Sequence, residues 1–279
     1  MSNIRGLDDG RERLLSASRS YPLTSAGFRF GTPEEARKET FLDMLKLLFC
    51  PLFHTRSFIF GITVVDLVVY LFSVFYDFNY NSFLEPKVSA LNQLGAKNIY
   101  LMQEGEVWRF FTPVLLHANV PHLVFNFIMQ MLFGFRLEPQ VGKLKTAMVY
   151  FVGGVGGVLF SSLVSETLSV GASTAIFSMN AAMISWIVMN WKDLERDSNR
   201  NTTTVWLVII LVFNLMLGTT SDLVDNWGHF GGMITGFLAG YSFLDFLGFA
   251  SEFQKKLKKA GSIILLVYFV LGLLMFYLY

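Results

Sequence analysis

Nucleophilic acyl transfer needs a hydroxyl or thiol, a base within hydrogen-bond reach of it, and donors aimed at the oxyanion that develops. The 279-residue chain carries candidates for each part inside strongly apolar surroundings. Ser173 stands in Gly171-Ala-Ser-Thr174-Ala, and His229 in Trp227-Gly-His-Phe-Gly-Gly232. A lone serine in an apolar helix ordinarily bonds back to a carbonyl one turn away, and a lone histidine there is ordinarily a structural hydrogen-bonding group. Placement argues for more. Each residue opens a hydrophobic stretch, the two stretches begin on the same side of the membrane, and His229 is the only histidine close to either start by topology. Gly228, Gly232, Gly236 and Gly240 recur every four residues after it, a smooth stripe on which another helix backbone can settle closely. His122 and Asn126, four apart in His117-Ala-Asn-Val-Pro-His122-Leu-Val-Phe-Asn126, share one helix face near the same boundary. An amide and an imidazole N–H there would serve as oxyanion donors. The other reading is a polar patch bridging helices; a metal pair would lack a carboxylate or a third ligand.

These residues need elements to hold them, and composition names the medium. Hydrophobic residues make up 53% of the chain, aromatics 16% and charges 15%, with a mean hydropathy of +0.49. That composition is a membrane protein's. A net charge of +1 gives no electrostatic pointer to nucleic acid or an acidic partner. The single cysteine, Cys50, excludes an intrachain disulfide and a thiolate metal site. Seven stretches reach or approach membrane-spanning length: Phe58 to Tyr76, Pro121 to Phe135, Ala147 to Val164, Ala172 to Trp191, Val205 to Thr219, Asn226 to Phe246 and Ser262 to Tyr279. The second and fifth are short. The fold class expected is therefore all-α, a polytopic membrane helical bundle.

Lysine and arginine cluster in 1–57, in Arg136 to Lys145, in Lys192 to Arg200 and in Lys255 to Lys259, whereas Ser165 to Val170 and Thr220 to Asp225 carry acids without bases. The positive-inside rule then places the N-terminus on the cytoplasmic side, and the sequon at Asn201 with it. No cleavable signal peptide is visible in the first 50 or so residues. Residues 1–31 read as disordered. Thr32, Pro33 and Glu35 start a helix with Phe41, Leu45, Leu48 and Leu52 on one face, either lying on the cytoplasmic leaflet or binding a partner. The chain divides into a cytoplasmic region at 1–57, a six-helix core at 58–250, and a linker with a seventh helix at 251–279. The long segment Asp77 to Pro113, ending in an aromatic stretch with Trp108 and Arg109, is too polar to span and long enough to carry function.

Taken together, Trp108-Arg109, His117 with His122 and Asn126, Glu138 twelve residues further, Gly171-x-Ser173, and His229-x2-Gly232-x3-Gly236 resemble the rhomboid family of intramembrane serine proteases. The resemblance covers Leu94 to Gly240. It implies Ser173 as nucleophile and His229 as base without a third acidic member. The oxyanion hole would be formed by Asn126, His122 and the Ser173 backbone N–H. Trp108 and Arg109 would belong to a lateral membrane-dipping loop, and Glu138 to a structural polar network. Six core helices plus one C-terminal helix resemble the eukaryotic arrangement, which implies secretory-pathway or surface membranes rather than mitochondria. Two positions depart from the family pattern. Thr174 replaces the usual glycine and would crowd the oxyanion site or trim the substrate pocket; Phe177 replaces a frequent tyrosine and keeps a face for stacking under the histidine.

The function this implies is hydrolysis of a peptide bond in or near the transmembrane segment of a membrane protein, needing no cofactor, metal or nucleic acid. Partners would be transmembrane substrates and the lipid bilayer. The alternative from another class is an inactive family member that binds membrane clients, although such relatives generally lack a residue of the dyad and this chain has both.

Overall fold

The computed structural model describes residues 55–77, 79, 82, 84–195, 200–218 and 225–278; the expected helix after Thr32 lies outside them. Among the described residues the regular structure is helical, apart from one isolated antiparallel bridge between Lys97 and Ser169. In chain order the α-helices are α1 (Phe58–Tyr76), α2 (Val88–Gln93), α3 (Ile99–Gln103), α4 (Val120–Val141), α5 (Lys143–Val164), α6 (Ser173–Met189), α7 (Arg200–Gly218), α8 (Asn226–Phe243) and α9 (Glu252–Leu278). Two 3-10 turns, Val107–Phe110 and Thr112–Leu115, precede α4.

By length and hydropathy α1, α4, α5 and α9 can cross a bilayer, while α6 and the described part of α7 are shorter apolar helices. The short second stretch read from sequence is longer in the fold: α4 runs to Val141 and keeps the polar Arg136 and Glu138 in its last turns. The basic segment expected as a loop at Arg136 to Lys145 is thus mostly helix. Its one turn residue is Gly142, at φ +84, a backbone conformation suited to glycine, from which α5 starts directly. The linker expected before the seventh span is helical too, and Glu252–Leu278 is one 27-residue helix.

The centre of the bundle is α8, packed between α5 and α6. It has no wide apolar stripe, because five glycines occupy its buried side: Gly228, Gly231, Gly232, Gly236 and Gly240. Outer helices carry the lipid-facing surface instead, with residues such as Phe72, Phe75, Phe213 and Leu271 exposed. α9 lies along α5, where Gly272 admits Leu159 and Tyr268 Oη donates to Gly156 O at 2.7 Å. Its far end reaches the segment before α4 through Phe276 against Phe110, with ring centres 5.5 Å apart.

That segment is not an open loop. Arg109 is buried, and its Nη1 donates to Asn92 O at 2.7 Å and Ala96 O at 2.8 Å while Nε meets Glu106 at 2.6 Å. The neighbouring Trp108 is half exposed, an orientation that suits an interfacial aromatic.

Glu138 explains how α1 is docked. Its two carboxylate oxygens accept from the backbone N–H groups of Phe58 and Ile59, each at 3.0 Å, and Ser57 Oγ accepts from Phe60 N at 3.0 Å. A helix N-terminus leaves such donors unpaired, and in an apolar medium they must be met from within the protein. Glu138→Ala should therefore remove a cap on another helix and lower the apparent unfolding temperature in detergent. The loss corresponds to about 1–3 kcal/mol, with Glu138→Gln intermediate.

Candidate functional site

Ser173 is the first residue of α6. The preceding Gly171 has φ +135, and its N–H donates to Pro113 O at 2.8 Å, which turns the chain into the helix at a fixed point. Glycine is required here for a second reason: a Cβ on Gly171 would sit 2.8 Å from both Cε1 and Nε2 of His122 and 3.6 Å from Ser173 Oγ. One point in space is thus bordered by the serine hydroxyl and the His122 imidazole. The first turn of α6 also leaves its leading N–H groups, Ser173's included, without intrahelical acceptors, with the positive end of the helix dipole behind them.

His122 lies in the first turn of α4, capped by Asn119 Oδ1, which accepts from His122 N at 2.9 Å. Its Nδ1 accepts from the Ala118 N–H at 3.4 Å, which assigns the proton of a neutral ring to Nε2, the nitrogen on the edge of the ring nearest Gly171. Asn126 is buried one turn on, and its Nδ2 donates to His122 O at 2.8 Å. His117 is fully buried with its ring 5.4 Å from that of His122. Burial, and secondarily His122, push the His117 imidazole down to about 3, so it packs as a neutral ring behind the pair.

His229 enters from α8. Its ring stacks on Phe177, with centres 4.4 Å apart and planes 14° from parallel. Phe177 is one turn beyond Ser173 on the same face of α6, so the stack brings the imidazole to the serine's side of that helix. The buried His229 Nδ1 has no hydrogen-bond partner among the described protein groups. The carboxylate closest in sequence, Asp225, is occupied elsewhere.

What lets α8 approach α6 so closely is the glycine stripe. A Cβ on Gly232 would fall 2.3 Å from Thr174 O, and one on Gly236 would fall 2.3 Å from Ser178 Cα. α5 answers with its own small residues: a Cβ on Gly153 would meet Ser178 Oγ at 1.8 Å, and one on Gly157 would meet Thr174 Cβ at 2.8 Å. Thr174 is accordingly buried in the three-helix contact, its side chain against Gly157 and Gly228. Thr174, expected to crowd the oxyanion site or trim the substrate pocket, has its Cβ and Cγ2 packed toward Gly157 and Gly228 at the helix interface.

Two polar constructions went unread in the sequence. Asp66 is fully buried in the middle of α1, where Gln130 Nε2 donates to it at 3.0 Å and Tyr150 Oη donates to Gln130 Oε1 at 3.0 Å. The signal was present, since an acid inside an apolar span is a candidate by default. The second is Asp225, which caps α8 by accepting from Gly228 N at 2.8 Å. Its partners Lys97, Ser161 and Ser169 come from three other segments, and no local spacing announces them. Among the described residues no three His, Cys, Asp or Glu side chains converge as a metal site.

Comparison with known proteins agrees with this architecture. Residues 104–246, half of the chain, match the Rhomboid domain. The chain is 39% identical over 167 residues to RHOMBOID-like protein 5 of Arabidopsis thaliana, covering 59% of this chain and 53% of that protein. It is 37% identical over 166 residues to RHOMBOID-like protein 1 of the same plant, covering 59% of this chain and 42% of that one. It is 34% identical over 201 residues to Rhomboid-like protease 1 of Toxoplasma gondii, covering 71% of this chain and 67% of that one. The matched region thus spans about half the length of the two plant relatives. The chain belongs to the rhomboid family, a family that includes intramembrane serine proteases, and it is an integral membrane protein.

The packing has a direct consequence for substitution. Gly232→Val would place a branched side chain against the Thr174 carbonyl, where neither backbone can yield cheaply. It should abolish a monodisperse folded protein in detergent, whereas Gly61→Ala, with open space around its Cβ position, should leave the melting profile unchanged.

Proposed function

We propose that this chain is an intramembrane serine protease that hydrolyses a peptide bond in or near the transmembrane segment of membrane-protein substrates. The observation that carries the reading is the stack of His229 on Phe177, one turn beyond a serine at a helix N-terminus that shares the Gly171 cradle with His122 Nε2. A relative named as a protease, at 34% identity over most of this chain, supports it.

In the proposed reaction His229 takes the proton of Ser173 Oγ as the oxygen attacks the scissile carbonyl carbon. The carbonyl oxygen becomes an oxyanion. Donors for it are the Nε2–H of His122, the Asn126 amide and the Ser173 backbone N–H, each worth about 2.7–4 kcal/mol if it resembles other oxyanion donors. Collapse of the intermediate breaks the C–N bond, with His229 returning the proton to the leaving amine. Water, deprotonated by His229, then hydrolyses the acyl-enzyme and restores Ser173. The Phe177 face holds the imidazole in plane throughout. The Asn126 amide, now bonded to its own helix at His122 O, would turn to the oxyanion when substrate arrives.

The substrate would present an extended or unwound stretch, since a helical carbonyl is already hydrogen-bonded; glycine, alanine or proline near that end of its span would favour this. The loop basicity supports a cytoplasmic N-terminus, so the site would open on the other side, in secretory-pathway or plasma membranes. With this orientation the sequon at Asn201 stays unmodified in microsomes, while one introduced in 165–170 acquires a glycan, read as a gel shift.

For the chemistry, the purified chain in liposomes should be labelled at Ser173 by a fluorophosphonate and should cleave a transmembrane peptide. Ser173→Ala and His229→Ala should each lower cleavage by at least about 10³-fold while leaving peptide binding intact. Equal cleavage by wild type and Ser173→Ala would sink the assignment. Binding without cleavage or labelling in the wild type would point to a client-binding relative.

A further inference from the structure

A largely buried polar assembly near the proposed dyad is centred on Asp225. Its carboxylate accepts from Ser161 Oγ at 2.7 Å, from Ser169 Oγ at 2.7 Å and from Gly228 N at 2.8 Å, and Lys97 Nζ lies 3.7 Å away. Lys97 is wholly buried and donates to Ser161 Oγ at 2.6 Å and Ser165 O at 3.0 Å. Its backbone pairs with Ser169 in both directions, at 2.9 and 3.4 Å. Burial pushes the Lys97 ammonium down, and Asp225 draws it back. At Asp225 burial pushes the carboxyl up, but Lys97, the two serine hydroxyls and the Gly228 N–H outweigh it and hold it below the usual range.

Four segments meet at this carboxylate: the α2–α3 connection, the end of α5, the α5–α6 connection and the N-cap of α8. Two of them lead directly to the dyad. Ser169 precedes Ser173 by four residues, and Asp225 precedes His229 by four. Their 2.7 Å bond therefore joins the two segments just before the proposed reacting residues. The Gly228 bond fixes where α8 begins, and His229 N follows by donating to Asp225 O at 3.1 Å. A buried ion pair adds little net stability over an apolar replacement, because desolvating both charges offsets their attraction; a register device is its best-attested use.

On the reading of Ser173 and His229 as the reacting pair, we infer that Asp225 is a positioning residue that sets the two helix starts in register through Ser169, Ser161 and Lys97. It touches neither substrate nor the serine. It acts by holding His229 at the distance and angle at which the proton can move.

The test uses the full chain in liposomes, measuring kcat and KM on a transmembrane peptide, the fluorophosphonate labelling rate at Ser173, and the melting temperature. Asp225→Asn keeps a capping oxygen for Gly228 but loses the charge and one acceptor. Its kcat and labelling rate should fall about 10- to 100-fold per folded molecule, with KM within about twofold, as misplacement by a fraction of an ångström produces. Ser169→Ala removes only the side-chain link between the two segments and keeps the cap. It should fall in the same direction by about 3- to 10-fold, and the double variant should be no slower than Asp225→Asn, since both act on one link. If Asp225→Asn does not fold, Ser169→Ala carries the measurement alone. Wild-type kcat and labelling per folded molecule in the variants would overturn the inference, as would a change in KM with kcat preserved. A wild type that neither cleaves nor labels would overturn the underlying reading and this inference with it.

Discussion

Helices in a bilayer gain nothing hydrophobic by leaving lipid for one another, so they associate where close packing and internal hydrogen bonds exceed what acyl chains offer. In this protein that contact is the meeting of α5, α6 and α8, where glycine on one helix is answered by backbone or a short side chain on the next. Gly232 lies under the Thr174 carbonyl, Gly236 against Ser178 Cα, and Gly153 under the Ser178 hydroxyl. Ser178 Oγ and Thr235 Oγ1 then close the contact by donating to carbonyls of α5, at Val149 and Gly153. Everything else depends on this approach: with larger residues the α6 and α8 axes would separate, and His229 would lose the Phe177 face.

The same medium explains why polar groups are few and heavily partnered. Glu138 satisfies the start of α1, Arg109 gathers two carbonyls of the preceding loop, and Asp225 collects donors from several segments. Each removes unpaired backbone or charge from a place with little water to take it up. The pattern also has a mechanical side. Bonds between Lys97 and Ser161 and between Tyr277 and Met102 hold the segment between α1 and α4 to the bundle, while Arg109 ties the turns of that segment to one another.

A site built this way separates two tasks. The proposed dyad lies at the ends of helices, where free N–H groups and bent backbone are available, while the interior of the same helices is given to packing. Thr174 illustrates the division. Next to the proposed nucleophile in sequence, its side chain packs into the interface that holds α6 against α5 and α8. Glycine at that position would leave a gap between the three helices unless the neighbours moved inward.

How much of this was legible beforehand follows from the range of each signal. Hydropathy and the four-residue glycine period depend only on local composition and helical spacing, so the helical membrane class, the bounds of α1 and the closeness of α8 to a partner could be read directly. The polar motifs around Ser173, His229, His122 and Asn126 were visible because they interrupt apolar stretches. Helix ends were read less well: Gly142 alone turns α4 into α5, since one positive-φ residue suffices where charge and hydropathy had suggested a loop. Sequence could not say which way Thr174 faces, that Glu138 would cap α1 some 80 residues earlier, or that Lys97, Ser161 and Ser169 would converge on Asp225. Those partners are distant in the chain and share no period. Only the three-dimensional packing of the glycine-bearing helices brings them within hydrogen-bond reach.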